Sequence, residues 1–155
     1  MRQLKVIGVI AAVVLGGMQF FAGHIPNSPA GPEPSWDSSR TRHLAVAACF
    51  DCHSNRASSH WYEHIAPVSW WIQGHVKDGR ARLNFDAWNP MQHRSGQDIA
   101  RTITRGTMPP SYYTWFGLHA AAKLSASERA ALVHGLVNTI GPAVGVQERR
   151  GRRSG

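Results

Sequence analysis

Both cysteines of the chain fall in the stretch AACFDCHSNR, where two residues separate Cys49 from Cys52 and His53 follows at once. Residues three apart on a helix share a face, so both thiols can reach the two vinyl groups of one porphyrin. His53 is then carried under the ring, where it can bind the iron as proximal ligand. This C-x-x-C-H spacing is the signature of c-type haem attachment and predicts one covalently bound haem c.

Three other kinds of site use two cysteines at this spacing. A thioredoxin-like redox dithiol needs a βαβ context, whereas the flanking sequence has helical periodicity. A structural zinc site needs four ligands, and histidines would have to complete it because the chain has only two cysteines. A disulfide closing so short a loop would add little stability. Haem attachment is favoured, since these are the only cysteines of a chain that reads as exported.

The face of the iron opposite His53 is either open or closed by a second ligand. Met108, in the stretch RGTMPPSYY, is the favoured candidate. Two prolines after it prevent a helix and make the loop rigid enough to present a thioether. The alternatives are an open site, His75, His93, His119 and Met91.

Four helices are predicted to position these side chains. Asp37 or Ser38 caps the first, SRTRHLAVAACFDCH, which has the cysteine pair on its last turn. The second helix begins at Pro67 and ends near Gly79.

The remaining two helices have capping signals. Ser95 with Asp98 resembles a capping box before GQDIARTITRG, and Ser125 with Glu128 forms a better one before ASERAALVHGLVNTI. Apolar residues form a stripe along one face of this last helix. Gly141 ends the helix.

So few helices form a marginal core, because domains of about a hundred residues bury only some 60–65% of their unfolded surface. A large apolar cofactor would complete that core. We therefore predict a mostly α haem-binding domain at residues 39–141. A Pro/Ser-rich linker at 24–38 would lift this domain off the membrane, and the Arg-rich tail at 142–155 is expected to be disordered.

The N-terminal residues 1–23 have the composition of a membrane segment. The run 6–23 is apolar apart from Gln19 and follows Arg2 and Lys5. About 17–25 apolar helical residues span a bilayer, so the run suits an anchor or a signal peptide. An anchor is favoured, because two phenylalanines stand where a cleavage site needs small residues. The preceding positive charge places the rest of the chain on the periplasmic side of the bacterial cytoplasmic membrane.

The formal net charge of +8 is concentrated at the two ends of the chain. Residues 6–140 contain 11 Lys and Arg against 8 Asp and Glu, a net charge of +3. This balance is ordinary for a domain surface and indicates no nucleic-acid partner. The tail is assigned no role.

Five motifs, ACFDCHSN, IAPVSWW, GRARLNFDAWN, MPPSYY and KLSASERAALVHGL, occur in this order. Together they resemble the haem-binding domain family of monohaem c-type proteins over about residues 35–140. The resemblance implies a small cytochrome c-like helical domain, N-terminally anchored and exported, with one haem c.

Carried onto this sequence, the resemblance implies that Cys49 and Cys52 attach the haem, with His53 as the proximal ligand and Met108 as the distal ligand. The sequence departs from the family pattern at SSHWYEH and NSPAGP. Four further residues match family-like positions without an assigned role: Trp70, Asn84, Phe85 and Trp88.

The leading functional hypothesis is an electron carrier that serves redox partner proteins. A His/Met iron has no free position for a substrate, and methionine ligation raises its potential. The second hypothesis is a haem-based redox or gas sensor that exchanges the ligand Met108. The third is a haem-free exported dithiol protein. No general base, nucleophile or substrate motif indicates an enzyme.

Overall fold

The computed structural model describes residues 1–89 and 95–142. Within these ranges the chain forms six α-helices and three 3-10 helices and contains no strand, so the predicted mostly α class is confirmed. The α-helices are α1 (Arg2–Gln19), α2 (Ser39–Ala48), α3 (Phe50–His53), α4 (Val68–Arg82), α5 (Gly96–Thr104) and α6 (Ala126–Ile140). The 3-10 helices are Trp61–His64, Ser111–Gly117 and Ala120–Ala122. Met91, His93 and residues 143–155 lie outside the described residues.

The single helix predicted around the cysteines is divided into α2 and α3. Ser38 caps α2 by accepting a hydrogen bond from the backbone of Thr41, as predicted. The break lies at Cys49, whose φ of −128° and ψ of −33° leave the helical region. The break directs Phe50 into the core, where its ring stacks on Phe85 with centroids 5.4 Å apart. Burial of this aromatic side chain accounts for the departure from a continuous helix.

Helix α4 runs to Arg82, whereas the sequence predicted an end near Gly79. Glycine disfavours a helix interior, so its position in the sequence predicts a helix end. In the structure, a Cβ atom on Gly79 would lie 2.6 Å from the backbone oxygen of Cys52. The missing side chain therefore allows α4 to approach α3 closely.

The capping signals of α5 and α6 are confirmed. The Ser95 hydroxyl accepts a hydrogen bond from the backbone of Asp98 at 3.1 Å. The Ser125 hydroxyl accepts from the backbone of Glu128 at 3.2 Å, and the Glu128 carboxylate accepts from the Ser125 backbone at 2.8 Å. Helices α5 and α6 pack against each other.

A small core lies between α2, α3, α5, α6 and the segment after α4. Each helix of this group contributes an apolar face, as the periodicity predicts. The buried side chains are Leu44, Ala45, Phe50, Phe85, Ile103, Leu132 and Leu136.

Helix α1 is long and apolar enough to span a membrane, and none of its residues is buried. The following segment, 24–38, contains no regular element, as predicted. It packs along the domain surface. The backbone of Gly31 donates to the oxygen of Asp86 at 2.9 Å, and Trp36 packs on Phe85 with ring centroids 5.3 Å apart. Burial of the indole ring favours this packed path over an extended spacer.

Candidate functional site

A cavity of about 560 Å³ lies between α3, α4, α5 and the loop after α5. Cys49, Cys52, His53 and Met108 all line it. The volume lies within the range of about 300–1,000 Å³ that is usual for cofactor and ligand sites. The structure thus brings together four residues that the sequence singled out in two separate motifs.

The two thiols are unpaired and half-buried. Burial raises the pKa of Cys49 to about 12, with a smaller contribution from the neighbouring Cys52. Burial also raises the pKa of Cys52 to about 11, and the Asp51 carboxylate adds to the shift. Reactive redox dithiols have lowered pKa values, so this environment is unlike that of a thioredoxin-type site.

The described ranges, 1–89 and 95–142, contain no group of three or more His, Cys, Asp or Glu side chains that could hold a metal ion. A structural zinc site built on the two cysteines needs further ligands of this kind. The described part of the chain supplies no such set of ligands beside Cys49 and Cys52.

The imidazole of His53 is held in one orientation. Its Nδ1 atom lies 3.0 Å from the backbone oxygen of Gly79 and 3.0 Å from that of Leu83. Carbonyl oxygens only accept hydrogen bonds, so Nδ1 carries the proton and Nε2 keeps its lone pair. Burial lowers the pKa of His53, although the two backbone hydrogen bonds oppose this shift. The neutral imidazole with a free Nε2 is the form that binds a metal.

The segment 83–86, which follows α4, fixes the backbone at His53. The amide of Phe85 donates to the oxygen of His53 at 2.8 Å. Beside it, the Asn84 side chain donates to the side-chain oxygen of Asn55 at 2.8 Å. The sequence alone assigned Asn84 and Phe85 no role. The stretch LNFDAW, which contains both residues, was the one feature that could have pointed to them.

A buried carboxylate fixes the residues that follow the histidine. Asp86 accepts from the backbone of Asn55 at 3.1 Å and from Nε of Arg56 at 2.8 Å. Arg56 also pairs with Glu33, which in turn binds Arg42. The hydrogen bond from Arg42 is the main reason that the pKa of Glu33 falls to about 2, although burial opposes the shift. This ionic network was not predicted from the sequence.

Met108 lies on a loop that is attached to the end of α5. The backbone amides of Thr107 and Met108 both donate to the oxygen of Thr102, at 3.0 and 3.2 Å. The Thr107 hydroxyl donates to the same oxygen at 2.9 Å. The side chain of Met108 lines the cavity, and the residue is 39% exposed.

Two of the alternative histidines, His75 and His119, also line the cavity. Both ring nitrogens of His119 are occupied, because Nε2 lies 2.5 Å from the Tyr62 hydroxyl and Nδ1 lies 3.2 Å from the Asp51 carboxylate. Nδ1 of His75 lies 2.8 Å from the backbone oxygen of Trp71, so its Nε2 atom keeps its lone pair. The structure therefore favours His75 over His119 as an alternative ligand.

A sequence profile described as the haem-binding domain matches residues 13–138 of the chain. The chain belongs to the haem-binding domain family. This match covers most of the chain and includes the four predicted site residues, so the resemblance seen in the motifs is confirmed. Comparison with curated proteins and with solved structures gave no significant match. As a member of the haem-binding domain family, the chain is a haem-binding protein.

Proposed function

We propose that this haem-binding protein is a monohaem c-type electron carrier, anchored by α1 on the periplasmic side of the cytoplasmic membrane. The observation that carries the proposal is the convergence of Cys49, Cys52, His53 and Met108 on one cavity of suitable volume. The apolar lining and the free Nε2 of His53 fit a porphyrin with a central iron.

The backbone around the cysteines suits attachment at two points. The amides of Cys52 and His53 donate to the oxygen of Cys49 at 3.2 and 2.9 Å, so the three residues form a single turn. Side chains three apart on a turn share a side, which allows both thiols to hold one porphyrin through thioethers. His53 follows on the same turn and would bind the iron through Nε2.

The position of His75 supports Met108 as the ligand on the other side of the ring. His75 lies one turn before Gly79 on α4, and Gly79 accepts the hydrogen bond from His53. His75 and the backbone partner of His53 thus belong to the same helix. Met108 approaches from a different element, the loop after α5. With both axial positions filled, bound haem supplies one-electron exchange and offers no site for a substrate.

Contacts at the end of α1 support a retained anchor over a cleaved signal. The Gln19 amide accepts from the backbone of Ala66 at 3.1 Å and donates to its oxygen at 3.0 Å. Nε1 of Trp70 donates to the backbone oxygen of Phe21 at 2.9 Å. These bonds join the helix directly to the haem-binding domain. The two cationic residues at its start favour a cytoplasmic N-terminus.

The decisive experiment is expression of the full chain with a c-type maturation system, followed by a pyridine haemochrome assay. We expect haem that acid acetone does not extract and that stays with the polypeptide on a denaturing gel. The Cys49→Ser/Cys52→Ser double variant is the control and should lose this covalent haem. Extraction of the haem from the parent chain would contradict c-type attachment.

A second measurement separates an electron carrier from a sensor. We expect the reduced protein to react slowly with carbon monoxide and to exchange electrons rapidly with a small redox mediator. Rapid binding of carbon monoxide to the reduced parent chain would instead favour the sensor.

A further inference from the structure

Large apolar side chains remain exposed on the domain, and one of them, Trp70, is hydrogen-bonded to the backbone just after α1. Trp61 is 73% exposed, Trp115 57% and Phe116 95%. Ile65 and Trp70 are also exposed. None of these five residues lines the cavity, so bound haem does not account for their exposure. We call this set, Trp61, Ile65, Trp70, Trp115 and Phe116, the aromatic face.

Ring contacts join the residues after the M-P-P motif to α4, and α4 is hydrogen-bonded to the backbone just after α1. Trp70 donates its indole hydrogen bond to the backbone just after α1. Its neighbour Trp71 packs against Tyr112 with ring centroids 4.9 Å apart. Tyr112 lies 6.4 Å from Trp115, and Trp115 lies 6.4 Å from Phe116. Aromatic side chains thus extend from α4, beside the end of α1, to the 3-10 helix Ser111–Gly117.

The two main segments of the face contain no formal charge. Residues 65–76 and 106–122 include no Lys, Arg, Asp or Glu. The rim of an ordinary protein–protein interface is polar. Tryptophan in an uncharged setting is instead typical of the membrane interface, where the indole lies at headgroup level.

Phe116 adopts an uncommon conformation within this face. Its φ of 55° and ψ of 23° lie in the left-handed region, which is unfavourable for a residue with a bulky side chain. The same side chain is almost fully exposed, so packing within the domain does not offset that cost. Contact with an apolar phase outside the domain would do so.

We propose that the aromatic face lies in the headgroup region of the same bilayer that α1 spans. The inference rests on the proposed anchor and adds a second contact with lipid, outside α1. This contact would fix which side of the domain faces the bilayer. Trp71 and Tyr112 join the aromatic face to the cavity that they line, so the haem would be held close to the membrane surface.

The test uses the full holoprotein reconstituted in phosphatidylcholine vesicles that contain a small fraction of a diazirine phosphatidylcholine. The photoreactive group is placed near the headgroup. After irradiation and trypsin digestion, mass spectrometry locates the lipid adducts. The relevant peptides span 6–40, which holds most of α1, and 57–77 and 106–123, which hold the aromatic face. Peptide 130–149, which contains most of α6, is the internal control.

We expect adducts on 6–40, 57–77 and 106–123, with few on the α6 peptide. Adducts confined to 6–40 would overturn the aromatic face as a lipid contact and leave the anchor intact; the face would then be free for a protein partner. Failure of the protein to float with the vesicles, with no adduct on 6–40, would instead reject the anchor itself.

A pair of variants makes the result independent of folding. Trp115→Gln/Phe116→Gln removes two side chains of the face, and Val46→Gln removes an exposed apolar side chain on α2. Both variants should keep the parent Soret spectrum, since none of the three residues lines the cavity. The first should lose labelling of 57–77 relative to 6–40, whereas the second should not. Equal labelling of 57–77 in both variants would contradict the proposal.

Discussion

The two sides of the cavity are built in different ways. On one side, His53 is fixed by two carbonyl acceptors and by a backbone bond from Phe85. The buried carboxylate of Asp86 then holds the residues after it. On the other side, Met108 lies on a loop in which the amides of Thr107 and Met108 both donate to the oxygen of Thr102, and Met108 is partly exposed.

This difference indicates different tasks for the two candidate ligands. A histidine with one oriented nitrogen is prepared to bind before any iron arrives, because its alternative orientations are already excluded. The methionine has local support only, so its position in the cavity depends on one short loop. We therefore expect substitutions around His53 to be poorly tolerated. We expect substitutions around Met108 to change the reduction potential and the exchange of the iron ligand.

The largest effect is expected from Met108→Ala. Loss of the thioether should remove the methionine-to-iron charge-transfer band of the ferric protein. It should also lower the reduction potential by a sizeable part of the roughly 0.8 V range that axial ligands control. Visible spectroscopy and potentiometric titration measure both. Met91→Ala is the matched control, and loss of the band in that variant would assign the ligand to Met91.

Asp86→Asn tests the network behind the proximal side. The change removes one of the two carboxylates that pair with Arg56 and should reduce the free energy of unfolding by roughly 2–3 kcal/mol. Denaturant titration of the holoprotein measures this loss. Arg101→Gln removes an exposed ion pair and should cost no more than about 1 kcal/mol. Similar losses in the two variants would argue against a special role for the buried carboxylate.

Gly79→Ala tests the close packing of α4 on α3. The added methyl group would meet the backbone oxygen of Cys52 and should cost about 1–2 kcal/mol of stability. Gly74→Ala is a control in the same helix, where an added Cβ finds nothing within 4 Å. That variant should be stabilised by up to about 1 kcal/mol through helix propensity. Denaturant titration measures the free energy of unfolding. A change of the same sign in both variants would contradict the packing argument.

The smallest effect concerns acid stability. The pKa of Glu33 falls from its usual 4.5 to about 2 in the folded chain, so its contribution is complete above pH 4.5. That contribution is lost as the pH falls towards 2, because the unfolded chain takes up the proton first. In Glu33→Gln, the free energy of unfolding should depend less on pH within this window. Urea titrations at a series of pH values measure the dependence, and parallel curves for parent and variant would contradict it.

Local chemistry made much of the fold predictable. The capping pairs at Ser95 and Ser125 located the starts of α5 and α6, because a cap depends on residues only three positions away. The C-x-x-C-H spacing predicted the haem, in agreement with the family to which the chain belongs. The break at Cys49 was missed, since it arises from burial of Phe50 against a ring that is distant in sequence.

The sequence by itself determined the helical class, the apolar N-terminal helix and the residues proposed to bind haem, because each follows from periodicity or short-range spacing. Only the tertiary structure decided that Gly79 and Leu83 orient His53, that Asp86 holds its flank, and that Met108 reaches the same cavity. These contacts join residues far apart in the chain, and their partners are backbone atoms or buried charges. No local pattern specifies such pairs, since they form only when whole helices pack.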